Sequence, residues 1–289
     1  MSRLALGTAQ FGAYYRVANQ RGQVSFQEAK EILIRARFAG FDTIDTAIAY
    51  GDSEQRLGQI GVSSWRVISK LPQIDAESGD ISSWVQQSVD GILNRLQIFQ
   101  LYGLLLHRPD QLLSSTGEEL YQSLNLMKKQ GLVKKIGISI YSPTELDALC
   151  KQFSFDLIQA PFNVLDRSLE KSGWLDQLKK LGVEIHGRSV FLQGLLLMNP
   201  LTRPAYFERW QPLLQKWESW LVENNLTPLQ GCLGFVLSNP HIDRVVVGVD
   251  SLEQLQEIIA ATTGIFLSPP DDLCCDDPDL INPARWRLT

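Results

Sequence analysis

The sequence is short of several things, and each shortage narrows what the chain can be. No apolar run approaches the roughly 20 residues that cross a bilayer. Only four cysteines and three histidines occur in 289 residues. Cys150, Cys232, Cys274 and Cys275 are spaced for neither a zinc site nor a disulfide framework, which predicts reduced thiols. There is no His-x-His or His-Glu-x-x-His pair, so metal-dependent hydrolysis lacks its ligands and no metal is expected. His186 and His241 are read as structural. Positive charge is not in excess: 27 Lys and Arg stand against 32 Asp and Glu, a net charge of −5. Without a basic block a nucleic-acid partner is not expected. The opening MSRLALGTAQ lacks a charged-then-apolar leader, so a cytoplasmic protein is expected. No Pro/Gly/Ser-rich linker divides the chain, and 289 residues suit one α/β barrel, so residues 1–289 are read as a single domain.

What is present is alternation. Short apolar segments of strand character cover about 4–8, 41–45, 66–70, 101–106, 133–139, 155–160, 183–189 and 244–248. Helical periodicity fills the intervals between them. Ser25 with Glu28 three residues on reads as a capping box, and Gly40 as the glycine past that helix's end. Ser142 reads as an N-cap, with Pro143 at the first helical position. A longer insertion runs over 190–212. Eight strands that are apolar throughout fit a parallel sheet covered by helices. The expected fold is a (β/α)₈ TIM barrel, with an open doubly wound sheet as the competing architecture. The stretch 269–289 shows no periodicity and is expected to drape over the barrel as a tail.

Four polar residues sit where these strands end: Asp45, Tyr50 just beyond it, Lys70 and His107. Only parallel strands delivering them to one rim bring them together, and that rim is where such barrels build active sites. The group suits carbonyl reduction. Hydride transfer leaves an alkoxide that needs a proton, and a tyrosine with an ordinary pKa near 10 gives it up reluctantly. An ammonium nearby lowers that pKa, a carboxylate holds the ammonium in place, and an imidazole orients the carbonyl oxygen.

Together with LGTAQFG, DTAIAYGDSEQRLG, SKLP, LLLHRPD, IGIS and IQAPFN, in this order from Leu4 to about Thr262, the pattern resembles the aldo-keto reductases. These are barrel oxidoreductases that use a nicotinamide cofactor. The resemblance implies Tyr50 as proton donor, Lys70 as its pKa modifier, Asp45 as the partner of Lys70 and His107 as the carbonyl-orienting group. It also implies a cofactor site. Gly7 and Thr8 are expected beneath the nicotinamide ribose, and Ser139 and Gln159 at the carboxamide. Arg188, Ser189, Phe191, Leu192 and Gly194 are expected around the pyrophosphate. Gly248, Ser251, Gln254 and Glu257 are expected at the adenosine end, where a helix start favours anions.

Some positions depart from the family pattern. Arg188 stands where many relatives have a stacking tyrosine, Ile140 replaces a frequent asparagine, and Ile258 replaces another. Gln254 stands where an arginine often grips the 2′-phosphate, and Asp250 adds negative charge beside it. NADP(H) is the family's default and NAD(H) the alternative. Many relatives close the barrel bottom with an N-terminal hairpin, for which the residues before Leu4 are too few.

The turn at Asn19 and Gly22, with LGTAQFG and RSVFLQGLLL, resembles a bacterial subgroup associated with carbohydrate and surface-polysaccharide metabolism. A small-molecule carbonyl substrate, sugar-derived, is expected. Arg108 is a candidate for meeting an anionic substrate group or a rim arginine paired with a carboxylate. Tyr206, Phe207, Trp210, Trp217 and Trp220 read as core rather than a substrate wall. Two readings of other classes stand beside the reductase. One is a cofactor-binding regulatory module with slow turnover. The other is a lyase or isomerase using Lys70 as a Schiff base.

Overall fold

The computed structural model describes residues 2–12, 22–74, 79–263 and 267–288. Its centre is a closed barrel of eight parallel strands in sequence order. They are β1 (Leu4–Gly7), β2 (Thr43–Asp45), β3 (Arg66–Leu71), β4 (Leu101–Leu106), β5 (Val133–Ser139), β6 (Leu157–Pro161), β7 (Glu184–Arg188) and β8 (Arg244–Gly248). The alternation of apolar runs and helical periodicity is thus resolved as a barrel, not an open sheet. β8 pairs back onto β1, so no strand edge is left.

The strands carry two apolar faces. Residues such as Leu6, Ile44, Leu104, Leu106 and Ile138 point outward into the shell beneath the helices. Ile68, Leu105 and Leu157 form a separate small cluster inside the barrel. Period-two alternation explains both: Ile68 and Lys70 of β3 face inward, and Lys70 is the step nearer the rim. The register levels the rim residues, with Gly7 beside Asp45 on one side and Gly248 on the other, and Ser139 beside Gln159.

Helix punctuation departs from expectation in two places. Ser25 accepts from the Glu28 N–H at 3.2 Å, but the Glu28 carboxylate accepts from Leu252 N and does not close the box. A reciprocal capping box occurs instead at Thr227 and Gln230. The helix after β5 runs Thr144–Gln152, one residue later than Pro143 suggests, with Glu145 accepting from the N–H groups of Tyr141 and Ser142. Asn19 lies outside the described residues, whereas Gly22 adopts φ +81°.

The insertion after β7 is a series of 3₁₀ turns, Leu192–Leu197, Pro200–Thr202 and Ala205–Trp210, followed by the helix Gln211–Glu223. The aromatic cluster belongs to the packing here. Trp217 and Phe207 are buried, Phe207 meets Trp286 edge-on at 4.8 Å, and the Tyr206 hydroxyl donates to Asp279 O. Residues after Pro269 are tied to the loop beyond β6. Arg167 donates to the carbonyls of Pro269 and Pro270 and pairs with Asp271. No described helix is long and apolar enough to cross a membrane.

Candidate active site

Lys70 is 1% exposed, a charged residue among the largest fully buried side chains. Burying an ammonium is costly unless it is paired and hydrogen-bonded. Its Nζ meets both requirements, lying 2.7 and 2.8 Å from the two Asp45 oxygens and 2.9 Å from Thr46 O. Asp45 also accepts from Gln159 Nε2 at 2.7 Å, and Ser139 Oγ donates to Gln159 Oε1. Gln159 therefore braces the Asp45–Lys70 pair, a contact the sequence did not suggest. Burial lowers the Lys70 pKa, Asp45 opposes that, and Arg188 adds to the lowering.

Tyr50 reaches this pair because its loop is pressed onto the segment after β1. A Cβ on Gly12 would lie 1.6 Å from Tyr50 O, and one on Gly51 would lie 2.2 Å from Gly12 O. Gly51 also adopts φ +56°, a left-handed conformation that glycine enters freely. The Ser53 hydroxyl donates to Thr8 O, and Tyr50 O accepts from Ser53 N. Lys70 Nζ consequently stands 5.2 Å from the Tyr50 ring centroid.

His107 lies one residue past β4, its N–H donating to Leu71 O. Its ring meets that of Tyr50 edge-on, with centroids 6.0 Å apart. Burial first, then the charges of Lys70, Arg188 and Arg108, push the imidazole pKa down to about 4, against a weaker opposing pull from Asp45. The ring is neutral at pH 7. The four rim residues thus assemble as one group.

Three of them border a cleft at the barrel mouth, with Lys70 buried behind it. Asp45, Tyr50 and His107 line it, as do Gly7, Thr8, Ser139, Gln159, Arg188, Ser189, Phe191, Gly194 and Gly248. Arg188 is anchored on Ile140 O at 2.8 Å and Ser189 Oγ at 3.1 Å, and its guanidinium lies 4.6 Å from the Tyr141 ring centroid. The next turn is strained. Ser189, Leu192 and Gln193 all have φ between +45° and +57°, three of the five non-glycine residues with positive φ in the described chain. Such strain gathers at ligand-holding loops.

Phe191, Gly194 and Gly248 also border a second cleft, so the two adjoin. Its wall includes Asp250, Gln254, Glu257 and Ile258, and no lysine or arginine among the described residues. Two expected cofactor residues do not line either cleft. Leu192 is fully buried, and Ser251 caps the helix Leu252–Ala261 by accepting from Gln254 N. At that helix start Leu252 N donates to the Glu28 carboxylate at 3.2 Å. Gln10, Tyr141 and Gln193 line the first cleft and went unnoticed in the sequence. The QFG and ISIYS strings that contain Gln10 and Tyr141 follow strand ends, which was the available signal.

His186 and His241 lie elsewhere. His186 Nε2 is 2.7 Å from Glu184 Oε1, and His241 Nδ1 is 3.0 Å from Asp176 Oδ1. Among the described residues no group of three or more His, Cys, Asp and Glu could hold a metal.

Comparison with known proteins gives a consistent result. The Aldo/keto reductase family model matches residues 3–268. L-glyceraldehyde 3-phosphate reductase of Escherichia coli strain K12 is 25% identical, over 86% of this chain and 82% of its own length. NADH-specific methylglyoxal reductase of the same strain is 23% identical, covering 94% of this chain and 92% of its own. Among solved structures, the holo form of an aldo-keto reductase from Bacillus halodurans aligns with a TM-score of 0.74 and 20% identity, over 92% of this chain and 88% of that one. At that identity the likeness speaks for the fold.

Proposed function

This chain belongs to the aldo/keto reductase family, an oxidoreductase family, and on that premise we propose that it reduces a small sugar-derived aldehyde or ketone with Tyr50 as proton donor. The observation that carries this reading is the buried Lys70–Asp45 pair beneath the Tyr50 ring, beside a neutral imidazole in one cleft.

The chemistry follows from those residues. A bound nicotinamide would supply the hydride. Tyr50 gives its proton to the carbonyl oxygen as negative charge gathers there. The Lys70 ammonium favours the phenolate that results, because opposite charges close together in a desolvated site attract strongly. Asp45 fixes Lys70 with two oxygens, and Gln159 fixes Asp45. His107, neutral because it is buried among cations, donates a hydrogen bond to the carbonyl oxygen and aims it at Tyr50.

The two adjoining clefts are where a dinucleotide would lie. Thr8, Ser139 and Gln159 would hold its nicotinamide end, Ser189 and Gly194 its middle, and Gly248, Gln254 and Glu257 its adenosine end. We favour NAD(H) over NADP(H). A 2′-phosphate there would face Asp250 and Glu257, no lysine or arginine among the described residues lines that wall, and Leu252 N at the helix start already donates to Glu28. A ribose hydroxyl, by contrast, donates well to a carboxylate. One relative is named as NADH-specific. Fluorescence titration with NADH and NADPH tests this. We expect NADH to bind at least about tenfold more tightly, the size of one charge-assisted contact. Tighter binding of NADPH overturns the cofactor reading, and no oxidation of either cofactor with any aldehyde overturns the reductase reading.

A further inference from the structure

The mouth holds more positive charge than the mechanism uses. Both Asp45 oxygens are engaged by Lys70 and Gln159. Arg188 also lines the cleft, and its contacts are a carbonyl, a hydroxyl and an aromatic ring, with no carboxylate among the described residues. Arg108 stands at the rim directly after His107, beyond the residues that line the cleft itself. Several arginines of the molecule have acid partners, such as Arg56 with Asp52, Arg95 with Glu54, Arg167 with Asp271 and Arg209 with Asp277, whereas Arg3 and Arg37 bond to backbone carbonyls. Arg108 is exposed, and no described carboxylate pairs with it, not even Asp110 two residues on.

Arg108 is nevertheless held in place. His107 continues the β4 ladder through its bond to Leu71 O, and Arg108 follows with φ −130° and ψ 87°. Pro109 then begins a 3₁₀ turn, and Gln111 Nε2 donates back to Arg108 O. Neither guanidinium is ion-paired or hydrogen-bonded to a carboxylate among the described residues, so both leave positive charge that an anionic ligand can meet.

We propose that Arg108 selects carbonyl substrates carrying an anionic group, a carboxylate or a phosphate, on the part of the molecule that projects from the mouth. This rests on the reductase reading above. With the carbonyl held at Tyr50 and His107, a short substrate directs its far end to the rim, within reach of the long arginine side chain. Guanidinium suits both anions because its fork of N–H groups matches two oxygens at once. The positive field that depresses the His107 pKa includes Arg108 and Arg188, so both charges are felt at the carbonyl's position.

The test is a ratio. kcat/KM is measured for 4-oxobutanoate against butanal, and for glyceraldehyde 3-phosphate against glyceraldehyde. These pairs separate carboxylate from phosphate preference. We expect the wild type to favour at least one anionic member, and Arg108→Gln to reduce that preference about 10- to 100-fold, the worth of a charge-assisted contact. Arg108→Lys should restore part of it and Arg108→Glu should reverse it. A ratio that Arg108→Gln leaves unchanged, or a wild type indifferent to charge, overturns the inference while leaving the reductase reading intact. Absence of turnover with all four aldehydes overturns both.

Discussion

The barrel carries an ion cluster at each end, and the two are built from similar parts. At the mouth, Lys70 pairs with Asp45 beside Tyr50 and His107. At the floor, Lys135 pairs with Glu184, which also accepts from Tyr102 Oη at 2.7 Å and meets His186 Nε2 at 2.7 Å. Each cluster has a lysine, an acid, a tyrosine and a histidine. The difference lies in where the polar tips point. At the floor the tyrosine, the lysine and one imidazole nitrogen all converge on a single carboxylate. At the mouth the carboxylate is shared between Lys70 and Gln159, and Tyr50 and His107 line a cleft. Both clusters border a cleft, the floor's lined by Tyr102, Lys135 and Glu184, so residue type and a neighbouring space do not separate them; the difference is that the floor's tips converge on one carboxylate.

The same substitution at the two ends should break the resemblance most sharply. Tyr50→Phe removes the proposed proton donor and should lower kcat by about a thousandfold, in the range of general-acid contributions. Cofactor affinity should change little. Tyr102→Phe removes one hydrogen bond to Glu184 and should cost about 1 kcal/mol of stability with kcat nearly unchanged. Steady-state kinetics and thermal unfolding of both variants measure this. Comparable activity losses at both ends would mean that the floor takes part in the reaction, and retained activity in Tyr50→Phe would end the proposed mechanism.

Acid should unmake the two clusters in succession. The folded pKa of His107 is about 4 against an ordinary 6.5, so between those values the unfolded chain binds the proton and the native one does not. Its contribution to stability is complete above pH 6.5 and is lost as pH falls toward 4, up to about 3 kcal/mol at 1.36 kcal/mol per unit. Glu184 behaves in a lower window. Burial raises its pKa, but hydrogen bonds from His186, Lys135 and Tyr102 together with their charges bring it well below the usual carboxylate value of 4.5. Its contribution is present above pH 4.5 and disappears below that. Urea unfolding from pH 7 to 3 should therefore show the first loss flattened in His107→Gln and the second flattened in Glu184→Gln. The idea fails if both variants alter the same part of the profile.

The mouth was largely legible in the sequence because strand ends are marked locally. An apolar run that stops at Asp45, Lys70 or Ser139 identifies both the strand and its rim position. Contacts between distant segments left no such mark. Gln159 braces Asp45 across 114 positions, and Glu28 reaches Leu252 across 224. The Gly12–Gly51 backbone approach that fixes Tyr50 shows in the sequence only as two glycines in ordinary-looking turns. The capping box read at Ser25 failed for the same reason. Its spacing was right, but a partner outside the helix took the glutamate.

The smallest expected effect concerns the outer cleft, where the mouth's positive surplus gives way to carboxylates. Gln254 Oε1 accepts from Asp250 N, so this side chain now stabilises the turn entering the last helix and adds no charge. Gln254→Arg would place a cation beside Asp250 and Glu257 in a wall that has none among the described residues. Part of that charge would be spent neutralising the two acids, so the gain for a 2′-phosphate should be modest. The ratio of NADPH to NADH affinity should rise about tenfold, one charge-assisted contact's worth. Replacing Glu257 by Gln as well should raise it further, since a repulsive partner is removed along with the addition of an attractive one. Fluorescence titrations of the single and double variants measure both steps. If Gln254→Arg leaves the ratio unchanged while the protein stays folded, the adenosine ribose does not sit in this cleft, and the contrast between a cationic mouth and an acidic outer wall loses its bearing on cofactor choice.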